Sequence, residues 1–159
     1  IFSANDSAYV LANNDDLGAD NFIKKMNERA LDLGLKQTHF VNPTGLDNGL
    51  NASNTSSAAD LVNLAEYIVQ KQPQIFAFSV TPGPYLNEDG IFNINLPPEF
   101  YLIGGKTGFT ATAGGCMILI FRDQKSNYYF NVVLGSSSAH DRVAQMQKLL
   151  DYEIAVIKE

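Results

Sequence analysis

The stretch YLIGGKTGFTATAGGCMILIFRD, residues 101–123, contains two apolar runs separated by a short polar segment. The runs at residues 101–109 and 115–122 are rich in the aliphatic and aromatic side chains typical of strands. A third such run, residues 128–134, follows the polar loop 123–127, which has the character of a hairpin connection between antiparallel strands. The stretch therefore predicts the centre of an antiparallel sheet.

The segments on both sides of these strands have helical periodicity. Residues 20–34 place apolar side chains on one helical face, and Ser56 or Ser57 can begin a second helix that ends before Pro73. A last helix is predicted over residues 139–157, where it is free to cover one face of the sheet. Helices, then three strands, then a long helix define an α+β layout.

The composition fits one globular domain and argues against several kinds of partner. The 159 residues carry 11 basic and 17 acidic side chains without a Lys/Arg cluster, so no nucleic-acid surface is predicted. The apolar runs fall far short of the roughly 20 residues of a membrane helix. No metal site is predicted, because His39, His140 and the single Cys116 lack ligand-like neighbours. We interpret Cys116 as a small buried core residue.

Lys106, Thr107 and Gly108 are the first candidates for a functional site. On a strand, Lys106 and Gly108 share one face and Thr107 takes the other. The lysine supplies positive charge, and the surrounding glycines are expected to keep the strand clear for a ligand that lies along it. The N–H of Phe109 can bond an extended substrate or a developing oxyanion. The alternative is that the lysine is an ordinary solvated charge.

Ser3 and Asn5 are the second candidates. A hydroxyl and a carboxamide two residues apart can converge from a loop ahead of a helix. The hydroxyl can relay protons, and the carboxamide can hold a substrate amide. The alternative is that one of these side chains caps the helix that follows.

Together, these motifs resemble those of the penicillin-recognising serine enzymes, which share Ser-x-x-Lys, Ser-x-Asn and Lys-Thr-Gly. Residues 3–5 match the second motif and residues 106–108 match the third. Further segments are similar to the low-molecular-mass D-alanyl-D-alanine carboxypeptidases, namely residues 27–30, 33–35, 39–46, 56–61, 93–95, 113–116, 133–135 and 148–152. The resemblance therefore runs over nearly the whole chain.

The resemblance implies a β-lactamase/transpeptidase-like fold and an acyl-transfer reaction. Residues 1–159 are expected to be the C-terminal portion of one catalytic domain, with residues 1–100 mainly helical and residues 101–159 holding the strands and last helix. The implied partner is a peptidoglycan stem peptide ending in D-Ala–D-Ala, or a β-lactam. The implied location is extracytoplasmic, and no metal or cofactor is implied.

The resemblance also assigns catalytic roles. Ser3 relays protons, and Asn5 orients both the substrate amide and the catalytic lysine of the first motif. Lys106 maintains the electrostatic field around Ser3 and the substrate carboxylate.

The implied substrate-binding residues follow Lys106 along the strand or lie in the last helix. Gly108 leaves room for the substrate, and the Phe109 N–H forms half of the oxyanion hole. Thr107 or Thr110 donates a hydrogen bond to the substrate carboxylate. Arg142 is either a further partner of that carboxylate or a solvated helix residue.

The chain departs from the family pattern at the nucleophile. No serine is followed three residues later by lysine, so the Ser-x-x-Lys motif is absent and this chain alone is expected to be inactive. In the family that motif precedes Ser-x-Asn. We therefore expect it before Ile1, in a longer protein or in a complementary N-terminal chain. Thr55 stands where members often carry histidine, which puts any role of that position in doubt.

Two other functions remain open. A serine β-lactamase of the same fold would also need an acidic deacylation residue, and residues 42–45 do not resemble the loop that carries it. A non-enzymatic module could use the strand to bind peptidoglycan or a protein partner without a nucleophile.

Overall fold

The computed structural model describes residues 3–14, 18–47, 53–80 and 94–158 and confirms the predicted α+β architecture. Within these ranges, four helices precede three strands, and a fifth helix follows them. The helices are α1 (Asn5–Asn13), α2 (Gly18–Asp32), α3 (Ala58–Lys71), α4 (Gln74–Val80) and α5 (Ala139–Ile157), and the strands are β1 (Phe100–Thr110), β2 (Gly114–Asp123) and β3 (Tyr128–Ser136). The chain divides into two compact units, residues 2–64 and residues 65–159.

In the first unit, α1 packs against α2, and a loop built around Asn42 follows. The Asn42 side chain is buried; its Nδ2 donates to the Leu46 carbonyl at 2.8 Å, and its Oδ1 accepts from the Gly45 N–H at 2.7 Å. Asn54 closes the other side, because its Oδ1 accepts from the Val41 N–H at 2.8 Å. This network satisfies backbone groups that no helix or strand would pair.

In the second unit, the strands form an antiparallel sheet in the order β1-β2-β3. The predicted hairpin between β2 and β3 is present. The Asp123 carboxylate accepts hydrogen bonds from the Asn127 N–H at 2.9 Å and from Asn127 Nδ2 at 2.7 Å. Such side-chain-to-backbone bonds are the reason that aspartate and asparagine favour tight turns.

Helix α5 covers one face of the sheet, as its apolar periodicity predicts. The contact is formed by buried side chains from both layers: Phe100, Met117, Leu119, Phe121, Met146, Leu150 and Ile154. Each such side chain contributes roughly 1.5–3 kcal/mol when it leaves water. This core fixes the position of α5 against the strands.

A smaller cluster lies on the opposite face of the sheet. Ala65 of α3, Phe76 of α4 and Ile120 of β2 are its buried members. The short apolar run at residues 75–78 is part of helix α4. Because α4 lies against β1, it determines what the glycines of that strand can accommodate.

Candidate active site

The strand register places Lys106 and Gly108 on one face of β1, as predicted. Lys106 lies opposite Ile118 of β2, and Gly108 lies opposite Cys116. Thr107 lies opposite Met117, on the face covered by α5. Cys116 is partly exposed, so the expectation that it belongs to the buried core is wrong. It lies on the same face as Lys106 because paired residues of antiparallel strands share a face.

The glycines of β1 serve two different purposes. At Gly104 an added Cβ would lie 2.6 Å from Phe76 Cβ and 2.7 Å from the Phe76 carbonyl oxygen, closer than packed atoms approach. Gly104 is therefore required for the close packing of α4. This differs from the expectation that the glycines around Lys106 keep the strand clear for a ligand. At Gly108 the nearest atom to an added Cβ is Cys116 Cβ, at 3.9 Å. The space over Gly108 is open, as expected for a strand surface that a ligand approaches.

The Lys106 ammonium lies in an electropositive environment. Its side chain is exposed, and Nζ donates to the Thr107 carbonyl. Even so, neighbouring atoms remove water from the ammonium and lower its pKa below the ordinary value for lysine, and the Arg142 guanidinium lowers it further by charge repulsion. A cation held beside another cation is suited to receive an anionic group.

Arg142 reaches β1 from helix α5. The residue is only 6% exposed, so the alternative of a solvated helix arginine is wrong. Its Nη1 donates to the Gly108 carbonyl at 2.8 Å. Gly115 permits this approach, because an added Cβ there would lie 2.4 Å from the Ser138 carbonyl oxygen and 3.1 Å from Arg142 Cβ.

The start of α5 is fixed by a side-chain cap one turn before Arg142. The Ser138 hydroxyl oxygen accepts from the Asp141 N–H at 3.0 Å, which is the N-cap arrangement. The Asp141 carboxylate accepts from the hydroxyls of Ser137 and Ser138, and these bonds lower its pKa. The cap orients the helix turn that carries Arg142.

One edge of β1 presents a row of backbone donors. The Gly105 N–H points to Ser79 of α4, donating to its Oγ at 2.9 Å. Alternate residues of a strand direct their N–H groups to the same edge. The N–H groups of Thr107 and Phe109 therefore share the edge of Gly105, on the side away from β2.

Ser79 is a structural contact that sequence reasoning missed. The residue is buried, and its hydroxyl also donates to the Phe76 carbonyl at 2.6 Å. Adjacent glycines inside a strand can indicate that another backbone or element approaches closely. The pair Gly104-Gly105 was thus the available signal for α4 and its serine.

Ser3 and Asn5 lie in the first unit, whereas Lys106 and Arg142 lie in the second. Ser3 is exposed, and Asn5 is the first residue of α1 and is half-buried. The N-cap position is Ala4, and no side chain caps the helix. The alternative that the side chain of Ser3 or Asn5 caps this helix is therefore wrong.

Thr55, where family members often carry histidine, has a structural contact. Its backbone pairs with that of His39 in an isolated bridge, with both N–H···O distances 2.9 Å. The pairing joins the loop before α3 to the chain that follows α2.

Two kinds of feature are absent from residues 3–14, 18–47, 53–80 and 94–158. In those parts of the chain, His, Cys, Asp and Glu side chains form no group of three that could hold a metal ion. No helix within them has the length and apolar character needed to cross a bilayer.

Comparison with solved structures identifies the fold as that of the penicillin-binding proteins. Penicillin-Binding Protein D2 from Listeria monocytogenes, in its cefotaxime-bound form, matches with a TM-score of 0.78 and 28% identity, covering 94% of this chain and 60% of that one. Penicillin binding protein 5 from Haemophilus influenzae matches with a TM-score of 0.76 and 28% identity, covering 96% of this chain and 44% of that one.

Sequence comparison identifies the family. The family model described as D-alanyl-D-alanine carboxypeptidase matches residues 1–138. The D-alanyl-D-alanine carboxypeptidase DacF of Bacillus subtilis is 36% identical over 160 residues, which cover 96% of this chain and 40% of that protein. The chain therefore belongs to the D-alanyl-D-alanine carboxypeptidase family, and it spans about 40% of the length of this relative.

Proposed function

We propose that these residues supply the Ser-x-Asn and Lys-Thr-Gly parts of a serine D-Ala–D-Ala carboxypeptidase that acts on peptidoglycan stem peptides outside the cytoplasm. The observation that carries the proposal is the cluster at the end of β1. There the buried Arg142 bonds the Gly108 carbonyl at 2.8 Å, beside Lys106 and an open strand surface. Two cations next to an exposed strand suit an extended peptide that ends in a carboxylate. Membership of the family supports the same reaction.

The substrate carboxylate binds beside the cations and accepts a further hydrogen bond from the hydroxyl of Thr107 or Thr110. Thr107 lies on the face covered by α5, from which Arg142 also extends. Thr110 shares the face of Lys106, and its Oγ1 accepts from the Ala113 N–H at 3.0 Å, so its own hydroxyl proton is available to donate. Either threonine can therefore add a neutral donor to the charged ones.

The reaction proceeds through an acyl-enzyme. A serine in a Ser-x-x-Lys segment outside these 159 residues, in a longer protein or on a complementary chain, attacks the D-Ala–D-Ala amide carbonyl. Ser3 relays protons, and Asn5 orients the substrate amide. The outward N–H of Phe109 donates to the developing oxyanion. D-Ala leaves as the amine, and water then hydrolyses the ester.

A β-lactam would occupy the same strand surface and acylate the same serine. The Listeria relative was solved in a cefotaxime-bound form, which supports this ligand class for the family fold. In this chain, the N–H row of β1 can pair with the antibiotic amide, and Arg142 can receive its carboxylate.

The test uses a protein in which a Ser-x-x-Lys segment precedes Ile1, termed here the parent. We expect the parent to release D-Ala from acetyl-L-Lys-D-Ala-D-Ala, and benzylpenicillin to block the release by stoichiometric acylation. A folded parent that binds the peptide without releasing D-Ala would indicate a binding module instead. Rapid turnover of benzylpenicillin would indicate a β-lactamase.

A further inference from the structure

Helix α5 turns one line of side chains towards the sheet. Its buried residues are Arg142, Met146, Leu150 and Ile154, which follow one another at intervals of four and therefore lie on one face of the helix. The last three belong to the apolar core, whereas Arg142 occupies the first position of the line. Because Arg142 is not a member of that core, other contacts have to determine the direction of its guanidinium.

The contacts of the guanidinium itself leave much of it unconstrained. Arg142 Nη1 donates to the Gly108 carbonyl at 2.8 Å, but Nε is buried and has no hydrogen-bond partner in the described part of the chain. The Ser138 cap fixes the residue at which α5 begins, yet it bonds the helix to its own first turn and not to the sheet. A rotation of α5 about its axis would therefore move Nη1 away from Gly108.

A hydrogen bond from strand β3 holds the same part of the helix against the sheet. Ser136 is 2% exposed, and its hydroxyl donates to Gln145 Oε1 at 2.7 Å. Gln145 follows Arg142 at the third position, so the two side chains are neighbours on the helix surface. An added Cβ at Gly115 would lie 3.1 Å from Ser136 Cβ and 3.1 Å from Arg142 Cβ. Ser136 and Arg142 are therefore adjacent where α5 meets the sheet.

An irregularity of β3 directs Ser136 to this face. Val133 pairs with Met117 and packs against the core beneath α5, so simple alternation along the strand would turn Ser136 to the other face. Between this pair and the pair of Gly115 with Ser136, β3 has two residues and β2 has one, which is the arrangement of a β-bulge. Gly135 in the bulge has a φ of 73°, a conformation that glycine adopts at little cost. The bulge reverses the alternation, and Ser136 faces α5.

We propose that Ser136 is a positioning residue for Arg142: through its hydrogen bond to Gln145 it fixes the rotation of the first turns of α5, and thereby the place where the substrate carboxylate binds. The inference rests on the proposed function, in which Arg142 receives that carboxylate. A misplacement of about 1 Å caused by a change remote from the chemistry can cost about 10²-fold in rate. The loss of this one hydrogen bond should therefore be visible in substrate recognition.

The same strand provides a matched control. Asn131 is 3% exposed, and its Nδ2 donates to Glu153 Oε2 at 2.8 Å, so it is a second buried residue of β3 that bonds α5. Glu153 lies about three helical turns beyond Arg142. Loss of either bond removes one contact between strand and helix, but only the bond of Ser136 lies beside Arg142.

The experiment measures carboxylate recognition in the parent. Acetyl-L-Lys-D-Ala-D-Ala is compared with the same peptide ending in a C-terminal amide, and release of D-Ala or D-alaninamide gives kcat/KM for each. The ratio of the two values reports carboxylate binding, and Arg142→Gln gives the ratio without the guanidinium. We expect Ser136→Ala and Gln145→Ala each to lower this ratio by about tenfold, and Asn131→Ala to leave it unchanged. The double variant Ser136→Ala/Gln145→Ala should lower it no further than either single change, because both remove the same bond.

The possible results separate the inference from the proposed function. Gln145 is exposed, so Gln145→Ala should fold even if the change at buried Ser136 does not. Ratios equal to that of the parent in both single variants would overturn the inference and leave the proposed function standing. An equal loss in Asn131→Ala would also overturn it, because the effect would then be a general loosening of α5. A ratio that Arg142→Gln does not change would overturn the role of Arg142 and the inference together. A parent that releases no D-Ala would overturn the proposed function and, with it, the inference.

Discussion

Two positions on the same face of β1 are occupied by glycine for different physical reasons. At Gly104, helix α4 comes so close that the Phe76 carbonyl oxygen would lie 2.7 Å from an added Cβ. At Gly108, the surface has room for a methyl group, with its nearest neighbour at 3.9 Å. Glycine therefore allows close packing at one position and leaves the strand accessible at the other. The sequence alone could not distinguish these two roles.

We predict that Gly104→Ala destabilises the parent by about 1–3 kcal/mol, because the added methyl overlaps backbone that cannot move cheaply. Gly108→Ala should leave the free energy of unfolding nearly unchanged and slow acylation by a fluorescent penicillin. Urea unfolding and the acylation rate, measured on both variants, check the pair. If Gly108→Ala were the more destabilising change, the two roles would have to be exchanged.

Lys106 is expected to act on the substrate through its positive charge. We predict that Lys106→Ala slows acylation by benzylpenicillin about 10²–10³-fold, the usual cost of removing one preorganised electrostatic group. The fold should remain intact, since the side chain is exposed. An unchanged acylation rate in a normally folded variant would remove Lys106 from the site.

The pH dependence of acylation gives a second check on Lys106. Neighbouring atoms remove water from its ammonium and lower its pKa, and the charge of Arg142 lowers it further, so Lys106 loses its proton at lower pH than a free lysine. We therefore predict that the acylation rate falls on the alkaline side, with an apparent pKa below the ordinary value of about 10.4. Lys106→Arg should move this decline to higher pH, because a guanidinium stays charged there. A decline at the same pH in this variant would assign the titration to another group.

At the scale of elements, the loop around Asn42 and the start of α1 use asparagine differently. Asn42 is 5% exposed, and its side chain bonds the backbone of Leu46 and Gly45. Asn5 begins α1 without capping it and is half-buried. One asparagine therefore holds a loop together, and the other is the better candidate for contact with a substrate.

We predict that Asn42→Ala costs roughly 1–3 kcal/mol of stability, because buried backbone donors lose their acceptor. Asn5→Ala should cost less stability but reduce D-Ala release by the parent more strongly. Thermal unfolding and turnover of the same peptide test the two rankings together. Lost turnover in an Asn42→Ala protein that melts normally would reverse the assignment.

The predicted elements differ in how well local sequence defines them. Helix α5 and the strands were predicted to within two residues at each end, because the Ser138 cap, the Asp123 turn and the apolar periodicity are local signals. Helix α4 was not predicted as a helix, because seven residues are too few for their apolar pattern to distinguish a helix from a short strand. Local sequence patterns therefore predict the secondary structure of the long elements, but they do not predict where a short element packs.

The sequence predicted which residues belong to the candidate site better than it predicted their surroundings. The sequence motifs marked Lys106 and Gly108, and the register confirms that they share a face. The burial of Arg142 depends on Gly115, which lies 27 positions away in the chain (142 − 115), so no local pattern could indicate it. Whether Ser3 and Asn5 join Lys106 in one site stays a prediction.

At the scale of the whole molecule, the proposed acyl transfer depends on a Ser-x-x-Lys motif, which does not occur in these 159 residues. None of their serines is followed by lysine at the third position, and the chain covers about 40% of the DacF relative. Acylation needs a serine made nucleophilic by an adjacent base. Under the proposed function, the nucleophile therefore comes from a segment outside these 159 residues.

We predict that these 159 residues alone form no covalent adduct with a fluorescent penicillin. The parent should be labelled with one equivalent, because it adds the Ser-x-x-Lys segment. Denaturing gels and intact mass on both proteins, before and after incubation, give the result. A stoichiometric adduct on the 159 residues would mean that one of their own serines is the nucleophile and that the motif assignment of Ser3 must be revised.

The order of the sheet has a consequence for how the chain folds. Each strand pairs with its neighbour in sequence, across the short connections 111–113 and 124–127, so closing these loops costs little entropy. Pairings of this kind form faster than those between distant segments. During synthesis from the N-terminus, β1, β2 and β3 can pair before α5 is complete. Strand β1 then acquires its backbone geometry first, and Arg142, which contacts Gly108, reaches it last.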